Sequence, residues 1–267
     1  MNLSLISYLV YSLVFVFGLA VGSFLNCVIY RLEKNESFLK GRSYCPHCKH
    51  ILGWKDLIPV FSFLILKGKC RYCHQKISLQ YPLVELSTAI IFLFIWLKFY
   101  AIAQNFNLFF YLIISCFLIL IFVYDLKHYI IPDKIIYPAI LIAFLYNILY
   151  SYFTLRTPYF ILNSIYSALG AAGFFLLIFL ISKGKWLGFG DVKLAFFMGF
   201  FLGFPNILVA LFFAFFSGAI IGIGLIISGK KTLKSEVPFG PFLVAGTFIT
   251  LFLGETTINW YLNLFLV

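Results

Sequence analysis

From Leu194 to Ser228 the chain runs 35 residues without one charged side chain. As a single helix that run would be about 52 Å long at 1.5 Å per residue, well beyond the ~30 Å hydrocarbon core of a bilayer. Pro205-Asn206 supplies a break, so the run divides into a short crossing, Val192–Gly203, and a full one, Asn206–Ser228. Six further apolar stretches fit the usual ~20 residues per crossing: Met1–Tyr30, Leu83–Ala103, Leu108–Tyr124, Ile135–Phe153, Phe160–Ser182 and Phe239–Leu264. Only 11% of the residues are charged, against roughly 25% in a soluble domain. The expected fold is therefore an all-α integral membrane protein of about eight transmembrane helices. Residues 1–30 form the first helix, 31–82 a small polar loop domain, and 83–267 a seven-helix membrane domain.

The net charge of +11 points to orientation signals and anionic headgroups rather than nucleic acid, because the basic residues cluster in particular loops. Loops 31–82, 125–134, 183–193 and 229–238 hold 10, 2, 3 and 3 of them, 18 of the 20. Only Lys98 and Arg156 fall elsewhere. The positive-inside rule then places these loops in the cytoplasm and both termini outside. The first charge, Arg31, follows the first apolar run instead of preceding it. That order suits an uncleaved helix better than a cleaved signal peptide.

Two carboxylates stand at the ends of apolar runs on this cytoplasmic side. Asp191 follows Gly188-Phe189-Gly190 and opens the short crossing, while Asp125 closes Phe109–Tyr124. Charge at the hydrocarbon boundary is costly and usually functional. Asp191 could simply cap its helix. Asp125 lies where the helix dipole disfavours a negative group, which makes a structural role harder to assign. Two carboxylates held close share a proton, so that one can act as base on a water while the other protonates a carbonyl oxygen. Such a pair could hydrolyse a peptide bond. Asp133, in Ile131-Pro132-Asp133, reads as a cap for the following helix; Glu85 and Glu255 carry no assigned chemistry. Because the short crossing is only about 20 Å long, Asp191 is expected some 10 Å below the cytoplasmic surface if its far end reaches the outer interface. A cysteine at 191 that labels as fully water-exposed would overturn that depth.

The polar loop carries Cys45-Pro46-His47-Cys48 and, 21 residues on, Cys70-Arg71-Tyr72-Cys73. Paired C-x-x-C motifs at such a distance build two knuckles around a tetrahedral zinc, and four thiolates leave no open position, so the metal would be structural. Disulfides are the competing reading, which the reducing cytoplasm opposes. Cys27 and Cys116 lie within apolar runs as ordinary core thiols. Gly18/Gly22, Gly199/Gly203 and Gly218/Gly222 match the G-x-x-x-G spacing of close helix packing.

Taken together and in order, these motifs resemble the bacterial type 4 prepilin peptidases, the leader peptidases of the GxGD membrane aspartic proteases. The resemblance runs through Gly22-Ser23-Phe24-Leu25-Asn26-Cys27-Val28-Ile29-Tyr30-Arg31, Arg42-Ser43-Tyr44-Cys45-Pro46-His47-Cys48, Ile58-Pro59-Val60, Tyr81-Pro82-Leu83-Val84-Glu85, Asp125 with Ile131-Pro132-Asp133, Gly188-Phe189-Gly190-Asp191-Val192-Lys193 and Pro238-Phe239-Gly240-Pro241-Phe242. It implies an eight-helix enzyme with Asp125 and Asp191 as the catalytic pair. Such enzymes cut the basic leader from type IV prepilins or pseudopilins at the cytoplasmic face, typically after glycine. It also implies N-methylation of the new N-terminus with S-adenosylmethionine, a second activity linked to the cysteine-bearing loop. Glu33 and Lys49-His50 depart from the pattern, at positions where proline and glycine are usual. Local acids such as Glu33, Glu36 and Asp56 are the only sequence feature that could meet a basic leader. A peptidase whose zinc loop only recognises substrate, and a non-catalytic assembly or transport protein whose aspartates bind ions, are the alternatives.

Overall fold

A computed structural model describes residues 3–37, 41–100, 105–155, 158–229 and 237–265. The basic stretch 230–236 and Arg156, both counted in the topology, lie outside the described residues. Nine α-helices are present among those residues: α1 (Leu3–Glu33), α2 (Phe61–Ile65), α3 (Gln80–Phe99), α4 (Asn105–His128), α5 (Asp133–Tyr150), α6 (Tyr159–Ser182), α7 (Phe189–Leu202), α8 (Asn206–Ile227) and α9 (Gly240–Phe265). In hydrocarbon every backbone N–H and C=O needs an internal partner, which an apolar run meets as a helix. Seven of the nine are long and apolar enough to cross a membrane. The eighth expected crossing, α7, has 14 residues, about 21 Å. The chain is an all-helical, multi-pass membrane protein, and it forms two compact units, Met1–Ile119 and Leu120–Val267.

In the first unit α1 and α3 pack closely through glycine. A side chain at Gly18 would meet the Ala89 Cα at 2.5 Å, and one at Gly22 the Glu85 Cα at 2.6 Å. This is the G-x-x-x-G contact expected from the spacing. Asn26, buried on α1, donates to the Tyr81 carbonyl at 3.0 Å and anchors the start of α3. Arg31, at the end of α1, donates to the carbonyls of Ser37, Gly41 and Arg42. Those bonds fold the beginning of the polar loop back over the helix end.

In the second unit α7 is the central helix, with Leu194, Ala195, Phe197 and Met198 fully buried. Gly199 lies against the backbone of Ser167 and Ala168 on α6, where any side chain would overlap. Asn147 of α5 donates to the Phe200 carbonyl at 2.8 Å, and Asn163 of α6 both donates to and accepts from the Phe204 backbone. Of the other two G-x-x-x-G pairs, Gly199 packs as expected but Gly203 and Gly222 do not. Gly203 ends α7 with φ +67°, and a side chain at Gly222 would meet nothing within 4 Å. Spacing alone cannot tell a packing glycine from a turn or a lipid-facing one.

Candidate active site and metal centre

Asp125 sits in the last turn of α4, only 4% exposed. Just past the end of that helix, Tyr129 has a left-handed φ of 58°, and its N–H returns to the Asp125 carbonyl at 2.8 Å. The helix dipole works against a carboxylate there, and a neighbouring helix supplies the compensation. The backbone N–H of Gly240, first residue of α9, donates to the Asp125 side chain. A helix N-terminus is where anions are favoured. Glycine at 240 leaves room for that acid, because a Cβ would lie 2.5 Å from Asp125 Oδ2 and 3.1 Å from its Cγ and would force the carboxylate to move.

Asp191 occupies the third position of α7 and is 8% exposed. Its Oδ2 accepts the N–H of Gly188, the N-cap residue, at 3.1 Å. That is the backward arm of a capping box, so the capping expectation holds in modified form: Asp191 caps from inside the helix. The same carboxylate is within electrostatic reach of Asp125. The two expected acids, 66 positions apart in sequence, are therefore brought together. The buried side chain of Ile131 packs near both, against Gly190 and Gly240. A Cβ at Gly190 would meet it at 3.1 Å, and one at Gly240 at 3.3 Å. Both glycines let their backbone close on the same isoleucine, Gly190 next to Asp191 in sequence and Gly240 against the Asp125 side chain.

Asp133 differs from the expected cap. Pro132 is the N-cap of α5, and the Asp133 carboxylate instead accepts Lys193 Nζ at 2.6 Å. Lys193 also lies over the rings of Tyr137 and Phe189. The pair joins the start of α5 to the start of α7, two residues beyond Asp191.

The four cysteines expected to bind metal converge, their Sγ atoms all within 4.8 Å of one another. None is in a disulfide. The Cys45 and Cys73 sulfurs are 3.9 Å apart, close to the ~3.8 Å edge of a tetrahedron with Zn–S bonds of about 2.3 Å. Each C-x-x-C folds alike: the Lys49 N–H returns to the Cys45 carbonyl and the His74 N–H to that of Cys70, both at 3.0 Å. Lys49 and His74 are both left-handed, with φ near 59° and 57°, so the knuckle keeps its turn although lysine stands where glycine was expected. Burial works against a Cys45 thiolate, but the N–H groups of Cys48 and His47 and the neighbouring thiols hold that thiol down at about 7. The Gln75 N–H favours a Cys73 thiolate, yet burial and the other thiols outweigh it and push that thiol up to about 11. Four thiols so close cannot all ionise together without a cation among them. The donor set fits a metal, and His47, His50 and His74 stand outside it; the His50 ring packs on Tyr72.

Of the acids named for a basic leader, Asp56 is engaged by Arg71 Nε at 2.7 Å and by the Gly53 N–H. Burial opposes its charge, but Arg71 and Gly53 together hold its carboxyl below the ordinary value. Glu36 accepts the Tyr44 hydroxyl at 2.8 Å. Sequence reasoning missed Glu85. Buried on α3 at 6% exposure, its carboxylate accepts the Val60 N–H at 2.7 Å and the Ser23 hydroxyl. Val60 carries φ 61°, rare for a β-branched residue. The sequence signal was a carboxylate one turn into an apolar helix.

Comparison with known proteins divides the chain in two. The family model described as Bacterial Peptidase A24 N-terminal domain matches residues 16–99, and that described as Type IV leader peptidase family matches 112–223. The chain is 31% identical to the "Prepilin leader peptidase/N-methyltransferase" of Aeromonas hydrophila, covering 97% of this chain and 96% of that one. Proteins of the same description from Bacillus subtilis (strain 168) and Legionella pneumophila are 32% and 31% identical, covering 95% and 98% of this chain and 98% of each relative. No solved structure matches.

Proposed function

The chain belongs to the type IV leader peptidase family, and on that premise we propose that it is a membrane aspartic endopeptidase that removes the leader of type IV prepilins or pseudopilins. The observation that carries this reading is the pair of buried carboxylates, Asp125 and Asp191, delivered by α4 and α7 to one place. Both lie within the stretch 112–223 matched by the leader peptidase family model.

One carboxylate, ionised, accepts a proton from a water whose oxygen attacks the scissile carbonyl carbon. The other, protonated, donates to the carbonyl oxygen, and the tetrahedral species collapses as the amide nitrogen takes a proton and leaves. The Gly240 and Gly188 N–H groups hold each acid in place without contributing charge of their own. A prepilin is an apolar helix behind a polar leader, so its scissile bond waits at the interface where these helices end. The positive-inside pattern supports a cytoplasmic position for that interface, with both termini outside.

The four-cysteine cluster would hold zinc, which supplies a structural cross-link and no chemistry. The second reaction is N-methylation of the amine released by cleavage, with S-adenosylmethionine as donor; the relatives' shared description favours it. The deciding experiment incubates the purified protein, Asp125→Asn and Asp191→Asn with one prepilin and labelled S-adenosylmethionine. The reading requires cleavage by the wild type, none by either folded variant, and label on the cleaved product. Normal cleavage by either folded variant would remove the aspartic mechanism, and cleavage without label would leave a peptidase alone.

A further inference from the structure

Five residues make α2 too short to hold itself together, and its apolar side chains do not face a core. Phe61, Leu64 and Ile65, at the i, i+3, i+4 spacing of a single helical face, are 60%, 63% and 74% exposed. Phe63 turns the other way, and its ring lies against Gly68. Ahead of the helix Trp54, Leu57 and Ile58 are exposed as well. Apolar side chains gathered in this way mark a surface that something else covers.

Two contacts set the height of that surface. The N–H of Val60, the residue before α2, bonds to Glu85 at 2.7 Å, and Glu85 lies about 7.5 Å along α3 from its first residue. Leu57 and Pro59 share a cavity wall with Phe24 and Cys27 of α1. Phe24 lies about 10 Å before Arg31, where the uncharged run of α1 ends. Both α1 and α3 are long and apolar enough to cross a membrane, so α2 starts beside their apolar stretches and not above them. Positive charge borders the patch. Lys55, Lys67, Lys69 and Lys76 are exposed, and among the described residues none of them pairs with an acid. The only acid between 41 and 79, Asp56, is engaged by Arg71. Lys69 and Lys76 stand directly opposite in an antiparallel bridge, where like charges repel unless an anion lies between them.

We propose that α2 is an interfacial helix and that the bilayer itself covers it. Phe61, Leu64 and Ile65 sink among the acyl chains of the leaflet on the polar loop's side, as the apolar face of a surface-bound helix does. Trp54 sits at headgroup level, where indoles collect. Lys55, Lys67, Lys69 and Lys76 meet the phosphates of anionic lipids. The height of the Val60–Glu85 bond favours lipid over a soluble partner, which would have to enter hydrocarbon to reach the helix. The seat has a consequence for the cysteine cluster. α2 runs through Leu66-Lys67-Gly68-Lys69 directly into Cys70, by a tight turn with Lys67 and Gly68 both left-handed at φ 50° and 68°. A helix held in lipid therefore holds the second knuckle at the membrane surface, and the loop is clamped by the metal on one side and the bilayer on the other.

The test uses the full chain in nanodiscs of phosphatidylcholine and phosphatidylglycerol. One protein keeps Trp54 as its only tryptophan, with Trp96, Trp186 and Trp260 changed to phenylalanine. A second adds Trp54→Phe and Ile65→Trp. Emission is read against iodide in the water and against lipids brominated along the acyl chain. At 65 the brominated lipids are expected to quench at least twofold while iodide has little effect, and at 54 bromines near the headgroup are expected to quench more than deep ones. Full quenching by iodide at 65 would put the face in water and overturn the proposal. Emission shielded from both quenchers would mean that protein covers the face, a second copy included, and would overturn it equally. The Trp54 protein leaves the loop unaltered, so it decides the matter even if Ile65→Trp folds poorly: no bromine quenching there sinks the interfacial seat. The charges are tested by Lys67→Gln, Lys69→Gln and Lys76→Gln together, which are expected to lower the number of phosphatidylglycerol molecules retained in native mass spectra. An unchanged number would overturn the assignment of anionic lipid to these lysines.

Discussion

Gly240 donates its backbone N–H to the carboxylate of Asp125, and no other residue type fits at 240 without a Cβ 2.5 Å from the acid's Oδ2. A helix start on α9 thus offsets the unfavourable helix end on α4 that carries the acid. The two residues are 115 positions apart, and they explain each other.

Gly240→Ala is accordingly expected to act on catalysis more than on folding. The added methyl displaces a flexible carboxylate rather than backbone, and a misplaced acid should lower kcat for prepilin cleavage at least tenfold, about 1.4 kcal/mol in barrier. A full-rate alanine variant would show that Asp125 does not depend on this contact. Steady-state cleavage kinetics, with thermal unfolding alongside, separate the outcomes.

Asp125→Asn and Asp191→Asn should each cut cleavage by 10²- to 10⁴-fold, the usual range for a positioned acid or base. Neither should destabilise the protein, since each removes a buried charge while keeping a side chain of the same shape. The double variant should be little worse than either single one, because the two act as a unit. Additive losses would argue against a shared mechanism.

Lys193→Met breaks the 2.6 Å pair with Asp133, in which Asp133 is well exposed at 59%. Exposed pairs contribute roughly 0–1 kcal/mol, so the unfolding temperature should hardly change. Because the pair tethers the first turn of α7, a few-fold fall in kcat is expected. A loss as large as that of Asp191→Asn would place Lys193 in the chemistry itself.

The cysteine cluster should bind one metal ion per chain. Element analysis of the purified protein is expected to find zinc near unit stoichiometry, lost in Cys45→Ser and Cys70→Ser. Chelation should expose four thiols to maleimide and make the loop 41–79 sensitive to protease, since a small loop draws much of its folding free energy from metal. Full metal content in either serine variant would sink the four-thiolate site.

The apolar runs and the metal motif were legible because each is written locally: bilayer thickness fixes run length, and knuckle geometry fixes cysteine spacing. The acids were legible because charge at a membrane boundary stands out. What stayed hidden depends on pairing between distant segments. Nothing in Pro238-Phe239-Gly240 says which carboxylate its N–H will meet, and nothing in Glu85 names Val60. Asp133 was misjudged because its local position is that of a cap, while a lysine 60 residues away claims its charge. Helices apolar on nearly every face also give no period from which to read a packing side, so Gly18 and Gly222 look alike in sequence and behave differently.

The 14 residues of α7 span about 21 Å, short of the hydrocarbon thickness by roughly a third. Lipid beside it must compress, or solvent must form a dent reaching toward the buried acids, and peptide hydrolysis consumes a water molecule that this dent would deliver. Membrane thickness then becomes a lever on turnover. Reconstituted in bilayers of graded acyl length, the enzyme should slow as the chains lengthen, with an unchanged rate across the series excluding such a hydration route.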